Sequence, residues 1–439
     1  MRLNELPPNN FLTGSSKSSN LDINNQQLKK IEQTIKLSVI TQFFPPDFAA
    51  TGQLVEELVT QLGYLGVEVE VFTSQPGYAF NVSSAPYFEK IDSVRIKRSR
   101  SSQIWPGRIR GKAVNGILYT LRAVIHLLKN TYRSNVLLVT TAPPFLPVVG
   151  YLAKVWLGKS YVCILYDLYP DIAVALDVID QDHWLAKLWL QFNKLVWRQA
   201  EGIVVLSQTM KERVAGICPD IADKISVIHS WADPDAIVPI SKQENWFALK
   251  HKLVKKFTVL YSGNMGRCHD IDTILEAIKL LRDEPIQFVF IGGGAKRKKV
   301  QEELYNLGLD NVVFLPYQDK ENLPYSMTAC DLSLVSVDAG FESLVAPSKL
   351  YPALATARPI AAVCPPTSYL RQVIADAKCG ATFVNGDSSG LAEFIRQLSQ
   401  DQQLAEGMGN DGRRYLQSHF TPEIISKQYL EVLSQAIKL

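Results

Sequence analysis

The stretch from Phe257 to Leu281, FTVLYSGNMGRCHDIDTILEAIKLL, holds residue types that together suit an anion, above all a phosphate. Gly263 and Gly266 let a backbone close tightly and approach a ligand with no Cβ in the way. Asn264 stands between them, and Arg267 adds a planar fork of donors that matches phosphate oxygens. Before the turn, Phe257 to Tyr261 is short, apolar and rich in β-formers, so it reads as a buried parallel strand. After it, Ile271, Ile274, Leu275 and Ile278 fall on one helical face. Strand, glycine turn and helix aim backbone N–H groups and a positive helix end at one point. An ordinary βα turn that binds nothing has the same local look.

The chain has 439 residues, 47% of them hydrophobic, which is ample for a large core and too long for one ordinary domain. A formal net charge of +3 makes no case for nucleic acid. The six cysteines show no CxxC spacing and no neighbouring His cluster. They read as reduced, mostly buried thiols of a cytosolic protein, with no metal site. The first residues are polar, with no signal-peptide pattern. The most apolar region, Val136 to Leu157, is broken by Pro143, Pro144 and Pro147, which suits strand, loop and helix better than a membrane span. A soluble cytoplasmic protein is expected, peripheral on the inner face of the plasma membrane.

Residues 1–34, rich in Asn, Ser, Gln and Lys, read as a disordered leader. Strands and helices then alternate twice, across 35–235 and again across 257–421. A polar linker, 236–256, lies between, and a helix, 422–439, ends the chain. The pattern predicts an α/β protein of two Rossmann-like parallel-sheet domains. In the first βαβ unit, Thr51 and Gly52 are read as N-cap and close-approach residues before a helix from Gln53 to Gly63. Asp167 stands at the carboxyl end of the strand Ser160 to Tyr166, where open α/β sheets bind ligands. Val94 to Gly116 carries Arg95, Lys97, Arg98, Arg100, Arg108, Arg110 and Lys112 around Ile104 and Trp105. Such a run suits anionic lipid head groups or a diphosphate-lipid, and equally a solvated basic loop and helix.

In order along the chain, FFPPDFAATGQLVEELVTQLGYLGVEVEVFTS, LYDLYPDIA, the SGNMG turn, FIGGG and APSKLYPALATARPIAA resemble the GT-B glycosyltransferases. More narrowly, they resemble retaining enzymes that build bacterial surface polysaccharides, of the colanic-acid and fucosaminyl transferase type. The resemblance runs from about Ile35 to the end. It implies two domains facing a cleft, with the acceptor on the first and a nucleotide-diphosphate sugar on the second. The expected acceptor is a lipid-linked or other glycan, and the sugar a hexosyl or N-acetylhexosaminyl unit. No cofactor or catalytic metal is implied. Lys349 and Arg267, with helix N-termini, would hold the leaving diphosphate. Gly263, Asn264, Gly266, Gly292, Gly293 and Ser348 would line the donor site. Gly52 would admit the sugar or diphosphate, and Asp167 would orient an acceptor hydroxyl or support the oxocarbenium-like charge. One departure stands out: Pro352 occupies the position where many relatives carry a ribose-binding Glu.

Two rival readings share these residues. A nucleotide-sugar epimerase would need carboxylates and a His in the cleft, for which His229 and Asp233 are candidates. A non-catalytic scaffold of an assembly complex would be consistent with Pro352. Deleting Met1 to Gln33, which lacks apolar periodicity, is expected to leave melting temperature and activity unchanged. A large drop in melting temperature would show that the segment packs on the core.

Overall fold

The structure is a computed structural model and describes residues 35–47, 49–77, 84–100, 109–130 and 134–438. Fourteen strands are described. They are β1 (Lys36–Ile40), β2 (Glu68–Ser74), β3 (Phe88–Ile91), β4 (Val94–Ser99), β5 (Val136–Thr140), β6 (Ser160–Leu165), β7 (Gly202–Val205), β8 (Ile225–Val227), β9 (Phe257–Ser262), β10 (Ile286–Ile291), β11 (Val312–Leu315), β12 (Leu332–Ser336), β13 (Ile360–Val363) and β14 (Gly380–Phe383). The helices of the first half are α1 (Ala50–Tyr64), α2 (Ile109–Asn130), α3 (Val148–Leu157), α4 (Asp171–Ala175), α5 (Trp184–Gln199) and α6 (Gln208–Ile217). Those that follow are α7 (Trp246–Lys250), α8 (Asp272–Leu280), α9 (Arg297–Asn306), α10 (Leu323–Thr328), α11 (Leu350–Ala355), α12 (Tyr369–Ala377), α13 (Ser388–Gln400), α14 (Gln402–His419) and α15 (Pro422–Lys438).

The strands form two sheets, ordered β3-β4-β2-β1-β5-β6-β7-β8 and β11-β10-β9-β12-β13-β14. Every pairing is parallel except the β3–β4 hairpin. The central strands are buried throughout because helices cover both faces: every residue of β5, β7, β10, β12 and β13 is buried. In the first sheet β1 steps to β2 in one direction, while β4, β5, β6 and β7 step in the other. Right-handed crossovers therefore put α1 on one face and α2, α3 and α5 side by side on the opposite face. The last helix, α15, crosses back from the second half and packs on α1 and on β5, β6 and β7. Its Tyr429, Leu430 and Leu433 are buried in the core of the first sheet.

Three local readings change. Helix α1 starts at Ala50, with Ala49 as an N-cap that makes no side-chain bond, so Thr51 lies inside the first turn and is not the cap. The stretch 236–256 is more than a linker: Asn245 caps α7, and Phe247 and Leu253 bury against the second sheet with Val289 and Met327. The basic run from Val94 is a strand, because Val94, Ile96 and Arg98 alternate inward with Arg95 and Lys97 between them. Arg98 is 4% exposed. Its guanidinium donates to Glu89 at 2.6 Å and to the carbonyls of Pro86 and Pro45 at 3.0 and 2.8 Å. It ties the edge hairpin to the loop after β1 and is not free to meet lipid. Ile104, Trp105 and Arg108 lie outside the described residues. Arg98→Ala should cost about 1.5–3 kcal/mol, the usual worth of charge-assisted hydrogen bonds. A urea midpoint equal to wild type would show that Arg98 does not hold the hairpin.

Candidate active site

The second half places two glycine turns side by side at the carboxyl ends of β9 and β10. They are locked backbone to backbone: Gly263 N–H donates to Ile291 O at 2.8 Å, and Met265 N–H to Gly293 O at 2.7 Å. Gly292 has φ +127°, and a Cβ there would lie 2.2 Å from the Gly263 carbonyl oxygen. The glycines are thus required first by the contact between the turns. A Cβ at Gly293 would press on the Tyr317 ring at 3.0 Å. Lys296 holds the turn from outside, donating to His269 O at 2.7 Å and to Asp338 at 3.1 Å.

The helix end does not do what the local pattern suggests. Helix α8 begins only at Asp272, and the buried Asp270 carboxylate accepts from Thr273 N–H at 2.9 Å. That terminus is occupied by the chain's own anion, so it is not open to a phosphate. Asn264 and Arg267 remain exposed, and Arg267 has no partner among the described residues.

Lys349 comes to this turn from the start of α11, whose Leu350 and Leu354 anchor it in the core. A Cβ on Gly263 would touch its Cε at 3.4 Å. Its ammonium donates to Tyr261 Oη at 2.7 Å, His269 Nε2 at 3.3 Å and the Asn264 carbonyl at 3.4 Å, and lies 4.5 Å from the Tyr261 ring centroid. His269 Nδ1 faces the Ser336 carbonyl at 2.9 Å, which only accepts. The ring therefore carries its proton on Nδ1 and offers the Nε2 lone pair to Lys349. No carboxylate pairs with Lys349 among the described residues. Loss of solvation pushes its pKa down to about 7. Burial, then the Lys349 charge, lower His269 to about 3, so the imidazole is neutral. Ser348 lies one residue before, partly buried. Pro352 is the third residue of α11, where a helix N–H has no intrahelical acceptor, so proline costs no hydrogen bond.

The first half brings Asp167 to the segment before Lys349. Asp167 forms an antiparallel bridge with Val345, and Leu168 N–H donates to Leu344 O at 3.1 Å. Thr209 Oγ1 donates to Glu342 O at 2.9 Å beside it. These contacts bring Asp167 to the segment that leads into Lys349. The carboxyl keeps solvent access, yet the protein crowded around it raises its pKa to about 6. Cys268, next to Arg267, is raised to about 11 by burial and then by Asp167, and it also feels Lys349, so the three groups share one space. Gly52 is buried in the first turn of α1, where a Cβ would meet the Phe43 and Phe44 backbone at 3.1 Å. It packs the loop after β1 onto the helix. His229 sits in the packing between the halves, 3.2 Å from Tyr351 Oη and in ring contact with Phe420. Burial lowers its pKa to about 4. Asp233 Oδ1 accepts from Asp235 N–H. Among the described residues no three His, Cys, Asp or Glu side chains gather as a metal would need. A separate hollow, lined by Lys242, Asp331 and Arg358, lies at the amino ends of the second sheet's strands, where Lys242 and Asp331 pair at 2.6 Å.

Tyr261, Lys296 and Asp338 were missed as site residues. Tyr261 reads as one more apolar strand residue, and its signal is its position, next to last in a strand that opens into a glycine turn.

Residues 50–231 match the family described as a glycosyl transferase 4-like domain, and residues 242–415 the family described as glycosyl transferases group 1. One match lies on each half. Fold and families define a glycosyltransferase of the group 1 type on the two-domain GT-B fold. The chain is 23% identical over 399 residues to the probable glycosyltransferase WbjE of Pseudomonas aeruginosa, covering 90% of this chain and 96% of that protein. It is 24% identical over 338 residues to the putative colanic acid biosynthesis glycosyl transferase WcaI of Escherichia coli K12, covering 72% and 80%. Among solved structures, Anabaena Alr3699/HepE in complex with UDP and glucose superposes with a TM-score of 0.69 at 14% identity, covering 91% of this chain and 99% of that one.

The site makes a prediction about stability. Asp167 binds its proton more tightly folded than unfolded, so its ionisation opposes folding as pH rises from about 4 to about 6. Asp167→Asn should raise the melting temperature at pH 7.5 and change it little at pH 4. An equal shift at both pH values would mean that the carboxylate is not under strain.

Proposed function

We propose that the protein transfers a sugar from a nucleotide-diphosphate sugar to a lipid-linked glycan, with retention, in the assembly of a surface polysaccharide. One observation carries the reading: Lys349 is a desolvated cation with no carboxylate partner among the described residues, and the segment just before it pairs with Asp167 and Leu168 of the first half. A diphosphate brings the missing negative charge. WcaI, a putative colanic acid biosynthesis glycosyl transferase, supports the polysaccharide context, and the UDP complex of HepE supports a nucleotide-sugar donor. The acceptor as a lipid-linked glycan is inferred from that context.

In this reading the diphosphate lies over Gly263, Asn264 and Gly266, with Gly292, Gly293 and Ser348 lining the site. As the anomeric C–O bond breaks, negative charge grows on the leaving phosphate. Lys349 and Arg267 stabilise it more in the transition state than in the ground state. Asp167, ionised above about pH 6, accepts a hydrogen bond from the acceptor hydroxyl and offsets positive charge on the sugar. His269 and Tyr261 hold Lys349 in place. Pro352 leaves the ribose to other groups, which sets donor affinity without removing the phosphate site.

A thermal-shift screen against UDP-, GDP-, ADP- and dTDP-sugars identifies the donor, since a ligand that binds only the native state raises its melting point. Lys349→Ala and Arg267→Ala should each weaken nucleoside-diphosphate binding by roughly 10- to 150-fold, the equivalent of about 1.5–3 kcal/mol, with folding little changed. Wild-type affinity should fall as pH rises through about 7, because the free ammonium loses its proton there, and Lys349→Ala should flatten that dependence. Unchanged affinity in both variants would sink the donor site.

A further inference from the structure

We infer that the outer face of α2, α3 and α5 docks onto an anionic lipid bilayer. The solvent-facing ridge of α2 is aliphatic: Ile117, Leu121, Ile125 and Leu128 are 49%, 55%, 53% and 51% exposed. A surface helix of a globular domain normally turns such a stripe inward. Here the opposite ridge, with Tyr119, Ala123 and Leu127, already fills the core. The neighbouring helices continue the face, with Trp156 on α3 57% exposed and Trp184 on α5 67% exposed. Contiguous exposed apolar surface of this kind marks an interaction site, and Trp favours the boundary between hydrocarbon and water.

Charge selects the partner. Helix α2 carries four Lys and Arg, α3 one and α5 three, and none of the three carries an Asp or Glu. Lys154, Lys187 and Arg198 pair with Glu201, Asp182 and Asp220 from flanking segments. Arg122, Lys129 and Lys194 are left without carboxylate partners among the described residues, so the face stays cationic. A second copy of the chain on the same face would set cation against cation. Anionic head groups supply the opposite charge, and the acyl boundary takes the aliphatic ridge. No helix of the described residues is long and apolar enough to cross a membrane, which fits a face that lies in the interface.

The face is continuous with the cleft. On α5, Trp189 stacks on Tyr169 with ring centroids 5.8 Å apart, and Tyr169 is two residues from Asp167. Docking through α5 therefore holds the acceptor side of the cleft near the bilayer. The inference deepens the lipid-linked reading but stands on the surface alone.

The test is flotation of the full chain with vesicles of phosphatidylcholine alone or mixed with phosphatidylglycerol, at low and high salt. Nucleotide affinity, melting temperature and oligomeric state are measured alongside. Wild type should float with the anionic vesicles, lose much of that binding at high salt, and shift its tryptophan emission to the blue. Ile117→Gln/Leu121→Gln/Ile125→Gln should lower vesicle affinity at least about tenfold at unchanged nucleotide affinity. If that variant melts early, Trp156→Gln/Trp184→Gln decides in its place. Wild type that ignores anionic vesicles, variants that float equally well, or a wild-type dimer split by the substitutions would each overturn the inference. Loss of nucleotide binding in wild type with flotation intact would instead count against the donor reading.

Discussion

A desolvated ammonium with no carboxylate partner among the described residues is the constraint on which the candidate site depends. Lys349 is held by a phenol, a neutral imidazole and a carbonyl, and by no carboxylate among the described residues. Neutral acceptors orient a cation but do not offset the loss of its hydration, so its pKa falls to about 7. The surroundings look built to keep it that way. The nearby acid Asp338 is engaged by Lys296, and Asp270 by the α8 terminus and by Asn385. The carboxylates around the turn are occupied elsewhere, which leaves the positive charge available to a ligand.

That arrangement needs a rigid frame, and the interlocked glycine turns provide it. Backbone packed on backbone leaves no side chain to rearrange, so Asn264 O, Tyr261 and His269 stay where Lys349 needs them. The turns in turn depend on a sheet whose central strands are buried on both sides. The cost of excluding Cβ atoms there is borne by the core beneath.

The two halves are joined by more than a hinge. The Asp167–Val345 bridge joins them at the candidate site, His229 packs against Tyr351 and Phe420, and α15 returns from the second half to complete the first core. Trp231 Nε1 donates to Glu57 on α1 at 2.9 Å. Motion of one half against the other must therefore proceed with α15 moving as part of the first domain.

The alternation of strands and helices, the apolar face of α8 and the position of the glycine turns were all legible in the amino-acid order. Each rests on a period of two or 3.6 residues, or on a residue's own backbone freedom, and these are local properties. Ile271, Ile274, Leu275 and Ile278 are buried as their spacing implies. The sequence also determined that Asp167 stands just past a strand end and Lys349 at a helix start, with Arg267 in the loop between a strand and a helix. Tertiary structure alone decided what each of them meets. It buried Arg98 in an edge hairpin that looked like a basic surface run, closed the α8 terminus with Asp270, and turned an aliphatic ridge of α2 to solvent. It also brought His269 and Lys349, 80 positions apart, within hydrogen-bond distance, with no carboxylate paired to Lys349 among the described residues. The reason is physical: local patterns constrain which side of an element faces the core, whereas desolvation and pairing depend on every neighbour that the fold delivers.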